Sequence, residues 1–422
     1  MKYLSILMIL LSSVYFSTLP NDHRKLCGTI LDATSGQPVY LANVSILGTA
    51  LGVVSDQQGR FELKVPKHLQ EDSLSISYLS YDSHRVKVSD IQADSCLEVR
   101  LNRSAYLLSE VRVQASRGAE PDRLQRIIQR IGSNHYKGRF LLEGFYREII
   151  RDREVPVLFA EAACQIYDNG YNKPIDRNKH YIKAIRKTKD FRGLDSAAVK
   201  IESRINVNGL YTLLYDDFIR NHLIDRCSGS SPYLNANFPQ HFYYRFDSSL
   251  VHEGEKVSHI SFYSGEANGE FIEENYLRVR DSDAAIIEMQ IGKKINVLFF
   301  KNFVPDYFKY YVLDDNFFAK RVNIKYQEYK GWWFLKYLSV EESFGSEFSI
   351  DQDKMFFRFK EFLVTDVALN KHSKSGRKKY SPLDISRNMH EQDVTYKAKL
   401  WENYNRVSNP TLEKIYDQLS KK

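Results

Sequence analysis

From residue 28 to residue 101 the chain has little freedom of fold. It alternates apolar and polar residues in short runs broken by turn chemistry, with no helical period. Period-two alternation puts every second side chain on one face of a strand, so such runs must stack as sheets to bury their apolar faces. Residues 28–32 lead into a turn at Ser35-Gly36-Gln37-Pro38, residues 42–47 end at Gly48-Thr49, and residues 61–65 follow a turn at 55–60. Asp56 is placed to accept the backbone N–H two residues on, and Gly59 to take the positive φ that such a turn needs. Residues 74–78, 85–88 and 97–101 bring the total to about seven strands, the count and spacing of a β-sandwich.

Strand signals continue beyond this region. Composition agrees, with 28 Tyr and 25 Phe against 5 Met, since aromatic rings favour pleated, half-buried surfaces. A polar linker at 118–122 opens a helix on Pro121-Asp122-Arg123, with Leu124, Ile127, Ile128 and Ile131 on one face and Gly132 as its end. Arg123, Arg126 and Arg130 form its polar face. Strands are then predicted at 145–150, 159–167, 242–246, 257–262, 270–279, 285–291, 318–326, 332–342 and 355–364, with mostly short connections that favour an antiparallel meander. The expected fold is mainly β: a seven-stranded sandwich, a short helix, then a large antiparallel curved sheet with few helices. The expected organisation is a signal peptide at 1–20, the sandwich at 27–113, linker and helix at 114–136, the β-rich region at 137–366, and a basic loop with a C-terminal helix at 367–422.

The series G-x-I-x-D, G-Q-P-V, A-N-V-S-I-L-G-T, G-V-V-S-D-Q-Q-G-R-F-E-L and L-S-E-V-R-V resembles the carboxypeptidase regulatory-like domain over 27–113. Its most specific part is S-D-x-x-G-x-F at 55–61, and Ser80 departs from the family by replacing the usual Gly before Tyr81. The resemblance implies a transthyretin-like sandwich, an accessory module without peptidase chemistry that is frequent in Gram-negative envelope proteins. The G-F-Y-R-E opening at 144–148, the segment Trp401-Glu402-Asn403-Tyr404-Asn405 and a closing helix at 411–419 resemble the uncharacterised companion domain that follows this sandwich in some exported proteins. The order of strands also resembles the sheet of periplasmic lipoprotein carriers.

Lys2, an apolar core at 4–16 and the polar run Asn21–Lys25 have the pattern of a secretory signal peptide, too short for a span of ~20 residues. The expected address is the periplasm or the outer membrane. Cys27, Cys96, Cys164 and Cys227 contain no C-x-x-C pair. Cys27 opens the first sandwich strand and Cys96 the last, so a bridge would staple the sandwich; buried free thiols are the alternative.

The net charge of +7 is spread along the chain, and no nucleic-acid partner is expected. The strongest basic run, with Lys371, Lys374, Arg377, Lys378 and Lys379, reads as an exposed loop with a possible anionic surface contact. His68-Leu69-Gln70-Glu71 is the one H-x-x-E, but zinc requires a third ligand that no neighbouring residue supplies. Neither H-E-x-x-H, G-x-S-x-G nor a Walker loop occurs, and Gly265–Gly269 is a turn without a following helix. The pairs Glu273-Glu274 and Glu341-Glu342 point to opposite strand faces and make no acid/base dyad by themselves. Trp332-Trp333 offers one indole to a ligand or an edge and the other to the core. No catalytic, cofactor-binding or metal-binding residue is assigned, and no cofactor is expected.

The expected function is a non-enzymatic envelope protein that binds or docks an outer-membrane or periplasmic partner, lipid or glycan. The alternative is a glycan- or peptide-directed hydrolase whose carboxylates meet only in the fold. A transporter with a plug and a barrel of about 22 strands needs more chain than follows the sandwich.

Overall fold

The computed structural model describes residues 23–92, 95–104, 121–152, 155–187, 209–223, 242–264, 275–295, 318–345, 355–371, 379–407 and 414. The expected signal peptide, the linker from 114 to 120, the turn at 265–269, the pair Glu273-Glu274, Lys374, Arg377, Lys378 and Cys227 lie outside these residues, as does all but residue 414 of the expected closing helix.

The first seven strands are β1 (His23–Asp32), β2 (Asn43–Ile46), β3 (Gly52–Val54), β4 (Arg60–Pro66), β5 (Ser73–Ser77), β6 (His84–Lys87) and β7 (Cys96–Leu101). They form a three-stranded sheet, β4-β1-β7, and a four-stranded sheet, β3-β2-β5-β6. Alternation drives the packing: Ile30, Val44, Ile46, Leu63, Leu74 and Ile76 are all fully buried between the two sheets. The turn after β3 behaves as its sequence requires. Asp56 Oδ1 accepts the N–H groups of Gln58 (2.9 Å) and Arg60 (2.8 Å). Gly59 has φ +72°, and a Cβ there would collide with the Ile30 carbonyl. Ser80 keeps the left-handed conformation of the glycine it replaces, with φ 70°, at a cost of about 1 kcal/mol.

Cys27 and Cys96 sit opposite each other in the parallel β1–β7 pair and are disulfide-bonded. The bridge closes a separation of 69 residues. Reduction is therefore expected to destabilise the sandwich by ~2–4 kcal/mol, read as a lower urea midpoint with reductant. A midpoint that does not move, or free thiols at both positions on alkylation without reductant, would sink the expectation.

The remaining strands are β8 (Phe140–Asp152), β9 (Val155–Asp168), β10 (Lys179–Lys187), β11 (Phe242–His252), β12 (Glu255–Ser264), β13 (Asn275–Arg280), β14 (Ala285–Ile295), β15 (Phe318–Tyr329), β16 (Trp332–Gly345), β17 (Met355–Leu369) and β18 (Ser381–Pro382). They make one eleven-stranded sheet in the order β11-β12-β13-β14-β15-β16-β17-β8-β9-β10-β18, in which neighbouring strands pair antiparallel. The expectation of one meander needs a correction: β11 to β17 do meander, but β17 then returns to pair with β8. Strand β10 was not expected. Its sequence KHYIKAIRK hides the alternation under basic residues and a bulge between Ile182 and Ala184.

Helices α1 (Pro121–Asn134), α2 (Gly209–Leu214) and α3 (Phe218–Leu223) cover one face of this sheet; α4 (Ala398–Glu402) lies with the sandwich on the other. Leu124, Ile127 and Ile131 of α1 are buried as the periodicity requires. The helix runs past Gly132 to Asn134, whose side chain donates to the Asp283 carbonyl (3.2 Å) and anchors the last turn. Of its basic face, Arg126 and Arg130 are exposed, whereas Arg123 lies over the Phe246 ring (4.3 Å) and pairs with Asp281 (3.2 Å). Among the described residues no helix is long and apolar enough to cross a membrane.

Two buried imidazoles give this layer a pH dependence. His135 donates from Nδ1 to the Ile131 carbonyl (3.0 Å) and sits edge-on to Tyr171 and Tyr326. His180 packs edge-on to Tyr211. Burial pushes both pKa values down to about 4. The unfolded chain, with imidazoles near ~6.5, takes up protons that the folded chain refuses. This stability is complete above pH ~6.5 and is lost as the pH falls towards about 4. A lower urea midpoint at pH 5 than at pH 7 is expected; equal midpoints would contradict two neutral, buried rings.

Candidate functional site

Because neighbours on a strand face opposite ways, the register divides the large sheet into rows of directly opposite residues. One row on the sandwich side runs His259, Arg278, Glu288, Lys325, Tyr337, Leu363, Phe145, Ala163, Ala184. It changes character halfway. From Tyr337 to Ala184 it joins the apolar core of the sandwich, with Trp401, Tyr404 and Val407 filling the junction. The C-terminal segment is thereby a strap between the two units. Asn405 Oδ1 accepts Lys64 N–H (2.7 Å), its Nδ2 donates to the Lys64 carbonyl (3.2 Å), and Lys64 Nζ donates to the Tyr404 carbonyl (2.9 Å). Tyr404 in turn donates its hydroxyl to the Gly144 carbonyl in β8 (2.9 Å).

The other half of that row stays polar. Glu288 accepts from Arg278 (3.1 Å) and from the Tyr276 hydroxyl (2.9 Å), with Lys325 at 3.7 Å. Burial raises the Glu288 pKa, but Lys325 and Arg278 outweigh it and leave the carboxyl below its usual range. Lys325 also donates to the Leu41 carbonyl of the sandwich (3.1 Å) and lies over Tyr78 (4.9 Å).

Two residues along each strand lies a second row: Arg245, Ser261, Tyr276, Gln290, Asn323, Ser339, Glu361, Arg147, Glu161, Arg186. Every strand except β18 contributes a polar residue to it. The end near β10 is a sealed ion ladder. Arg147 donates to Glu161 (2.8 Å), Glu361 (2.6 Å) and the Val407 carbonyl (2.8 Å), and Arg186 donates to Glu161 (2.8 Å). Tyr337 donates to Glu361 (2.8 Å), and Tyr40 of the sandwich hydrogen-bonds Tyr337. Arg147, Glu161 and Glu361 are at most 2% exposed, and burial lifts the Glu361 pKa despite Arg147. The middle of the row, Ser261 to Ser339, is uncharged; Tyr276, Gln290 and Asn323 remain half-buried and form a polar shelf beside the sandwich.

The helix side of the same strands carries a second ladder. Lys320 pairs with Asp216 (2.7 Å) and Glu342 (4.0 Å), Glu342 with Lys360 (3.5 Å) and Arg358 (3.8 Å), and Arg358 with Glu148 (3.6 Å). Burial opposes ionisation of Glu342, but Lys360, Lys320 and Arg358 bring its pKa down to about 2. Helix α2 closes over this ladder: a Cβ on Gly209 would collide with the Tyr146 hydroxyl, and Lys360 reaches Thr212 (3.5 Å). The surrounding apolar residues, among them Val322, Ile324, Leu338 and Val340, are buried in the chain's own core.

The residues singled out from sequence do not converge on a site. His68 and Glu71 are exposed at a 3-10 turn, and among the described residues no three His, Cys, Asp or Glu are grouped for a metal. Trp333 is buried, donating to Asp283 (3.2 Å), and Trp332 packs against Tyr136 at the core margin. Glu341 is exposed beside Arg321, whereas Glu342 faces the helices, as their opposite strand faces require. Lys371 and Lys379 are exposed. The polar row was missed, although it left a trace: Arg147-Glu148 and Lys360-Glu361 are charged pairs flanked by aromatic and aliphatic residues, and they lie opposite each other.

Residues 26–113 match the family model described as a CarboxypepD_reg-like domain, in agreement with the resemblance read from sequence. No curated protein matches the chain. An outer membrane lipoprotein-sorting protein domain from Vibrio parahaemolyticus is similar at 6% identity, covering 61% of this chain and 96% of its own, with a TM-score of 0.26. A DUF1329 family protein from Desulfovibrio piger follows at 8% identity, 60% and 94% coverage, and a TM-score of 0.23. A membrane-associated protein of unknown function from Bacteroides fragilis has 9% identity, 82% and 96% coverage, and a TM-score of 0.16. Overlaps this loose transfer no property to this chain.

Proposed function

From a regulatory-like sandwich strapped to an eleven-stranded sheet, we propose a non-enzymatic protein of the periplasm or outer membrane that holds an envelope partner on the sandwich-side face of its sheet. One observation carries this reading. A polar row crosses the whole sheet up to β10, yet the sandwich and strap seal only one end and leave Tyr276, Gln290 and Asn323 half-buried. Half-buried polar groups on rigid strands keep part of their surface in solvent and hold it in a fixed place where a partner can meet it. The helix-side face is a poorer seat for a large apolar ligand, because the chain's own side chains occupy it.

The carboxylates of both ladders support a binding role over hydrolysis. Glu148, Glu161, Glu342 and Glu361 each lie against Arg or Lys, which holds them as counter-ions rather than as a free acid and base. The test is purification from the native envelope followed by mass spectrometry of the lipids, glycans and proteins that accompany the chain. A stoichiometric companion is expected. A bare monomer that instead cleaves cell-wall or glycan substrates would overturn the proposal.

A further inference from the structure

The turns at one end of the large sheet build a second surface, apart from the sandwich-side row. Register brings the start of β8, the ends of β9 and β17 and the β15–β16 hairpin to that end, since Phe140 stands opposite both Asp168 and Leu369, and Tyr329 opposite Trp332. Hydrogen bonds lock these segments together. Tyr136 donates its hydroxyl to Asn370 (2.9 Å), Asn370 N–H donates to the Arg139 carbonyl (2.7 Å), and Tyr171 N–H donates to the Tyr136 carbonyl (3.1 Å). The hairpin joins through Trp332, which packs edge-on to Tyr136 (5.8 Å).

The surface so formed is basic. Lys137, Arg139 and Lys371 are exposed around the Tyr136–Asn370 contact, and Lys330 is exposed at the hairpin tip. The β9–β10 connection adds exposed Lys173, Arg177 and Lys179 against one exposed carboxylate, Asp176. Glu328, next to the hairpin tip, is already taken by Arg280 (2.6 Å). Among the described residues Lys137, Lys173, Lys179 and Lys371 have no carboxylate partner. The positive charge stops short of the far edge, where the β11–β12 turn exposes Glu253 and Glu255 beside Lys256. Tyr136, Tyr329 and Trp332 stand half-buried amid the cations. Lys and Arg beside part-exposed Tyr and Trp is the composition that seats a protein at a lipid headgroup layer, with the charges on phosphate and the rings just beneath. A soluble polyanion would use the charges and leave the rings idle.

We propose that this end of the sheet docks on an anionic phospholipid surface. The inference goes beyond the partner site proposed above, which lies on the face of the sheet rather than at its end. The test sediments the full chain with vesicles of phosphatidylcholine alone and of phosphatidylcholine with an equal part of phosphatidylglycerol, at ~0.1 M and ~0.5 M salt. Binding to the anionic vesicles alone is expected, and it should weaken at the higher salt. Equal binding to both kinds, insensitive to salt, would assign the contact to the apolar residues 4–16 and overturn the inference. Lys137→Ala with Lys371→Ala should weaken binding about tenfold or more without moving the melting temperature, since both side chains lie in solvent. Lys173→Ala with Lys179→Ala asks the same question if the first pair does not fold. Trp332 is half-buried whereas Trp333 and Trp401 are buried, so lipids brominated high in the acyl chain should quench its fluorescence, and Trp332→Phe should abolish the quenching. Anionic-vesicle binding that survives both lysine pairs would place the contact elsewhere. Binding to dextran sulfate but to no vesicle would make the partner a soluble polyanion. Either result would overturn this inference and leave the partner site on the sheet face standing.

Discussion

Arg147→Ala is expected to destabilise the protein by ~3–5 kcal/mol, because it leaves Glu161 and Glu361 buried without their shared cation. The two carboxylates are 0% and 2% exposed, so water cannot replace the guanidinium. The same change removes the donor to the Val407 carbonyl and so frees one end of the strap. Arg147→Lys should recover only part of the loss, since one ammonium cannot span three acceptors in fixed directions. Urea denaturation of the three proteins gives the comparison. A loss below about 1 kcal/mol for the alanine variant would mean that the ladder is hydrated and that the junction is not sealed.

Trp401→Ala should cost a similar ~3–5 kcal/mol by opening a cavity where the strap, the sandwich and the sheet meet. Trp401 is 4% exposed, packs edge-on to Phe145 at 6.2 Å and lies beneath the Arg186 guanidinium at 5.6 Å. Among the described residues its indole N–H has no hydrogen-bond partner despite burial. Trp401→Phe should therefore be far milder than Trp401→Ala, because it keeps a ring and removes an unsatisfied donor. Hydrogen exchange distinguishes a local from a global effect. Faster exchange is expected at the Lys64 amide, which Asn405 holds, while the sandwich interior around Ile30 and Val44 stays protected. Equal acceleration in both places would show that the strap supports the sandwich fold itself rather than its attachment.

Much of this molecule is written locally. The turn at Asp56–Gly59 and the seven strands around it follow from alternation and from one glycine that must adopt positive φ. Cys96 opens β7 as its sequence suggests, whereas β1 starts at His23 and Cys27 lies in its middle; the parallel β1–β7 register alone sets the two cysteines side by side. In the large sheet, Val322, Ile324, Leu338 and Val340 announce their strands because one face is apolar throughout. Strand β10 did not announce itself. Arg186 and Lys183 make it look like a solvated segment, and only the partners Glu161 and Glu143 explain why those charges are tolerated inside.

The sequence by itself determined the fold class, the sandwich, the positions of most strands and the absence of familiar catalytic motifs, because each depends on spacing within a few residues. The tertiary structure alone decided that β17 returns to β8, and with it both ion ladders. The pairings Arg147 with Glu361 and Glu148 with Lys360 join residues more than two hundred positions apart, a relation that no local period encodes. It likewise decided that the sandwich and the C-terminal strap cover only one end of the polar row. Whether a polar strand residue becomes a sealed ion pair or a half-buried shelf depends on what a distant part of the chain lays over it.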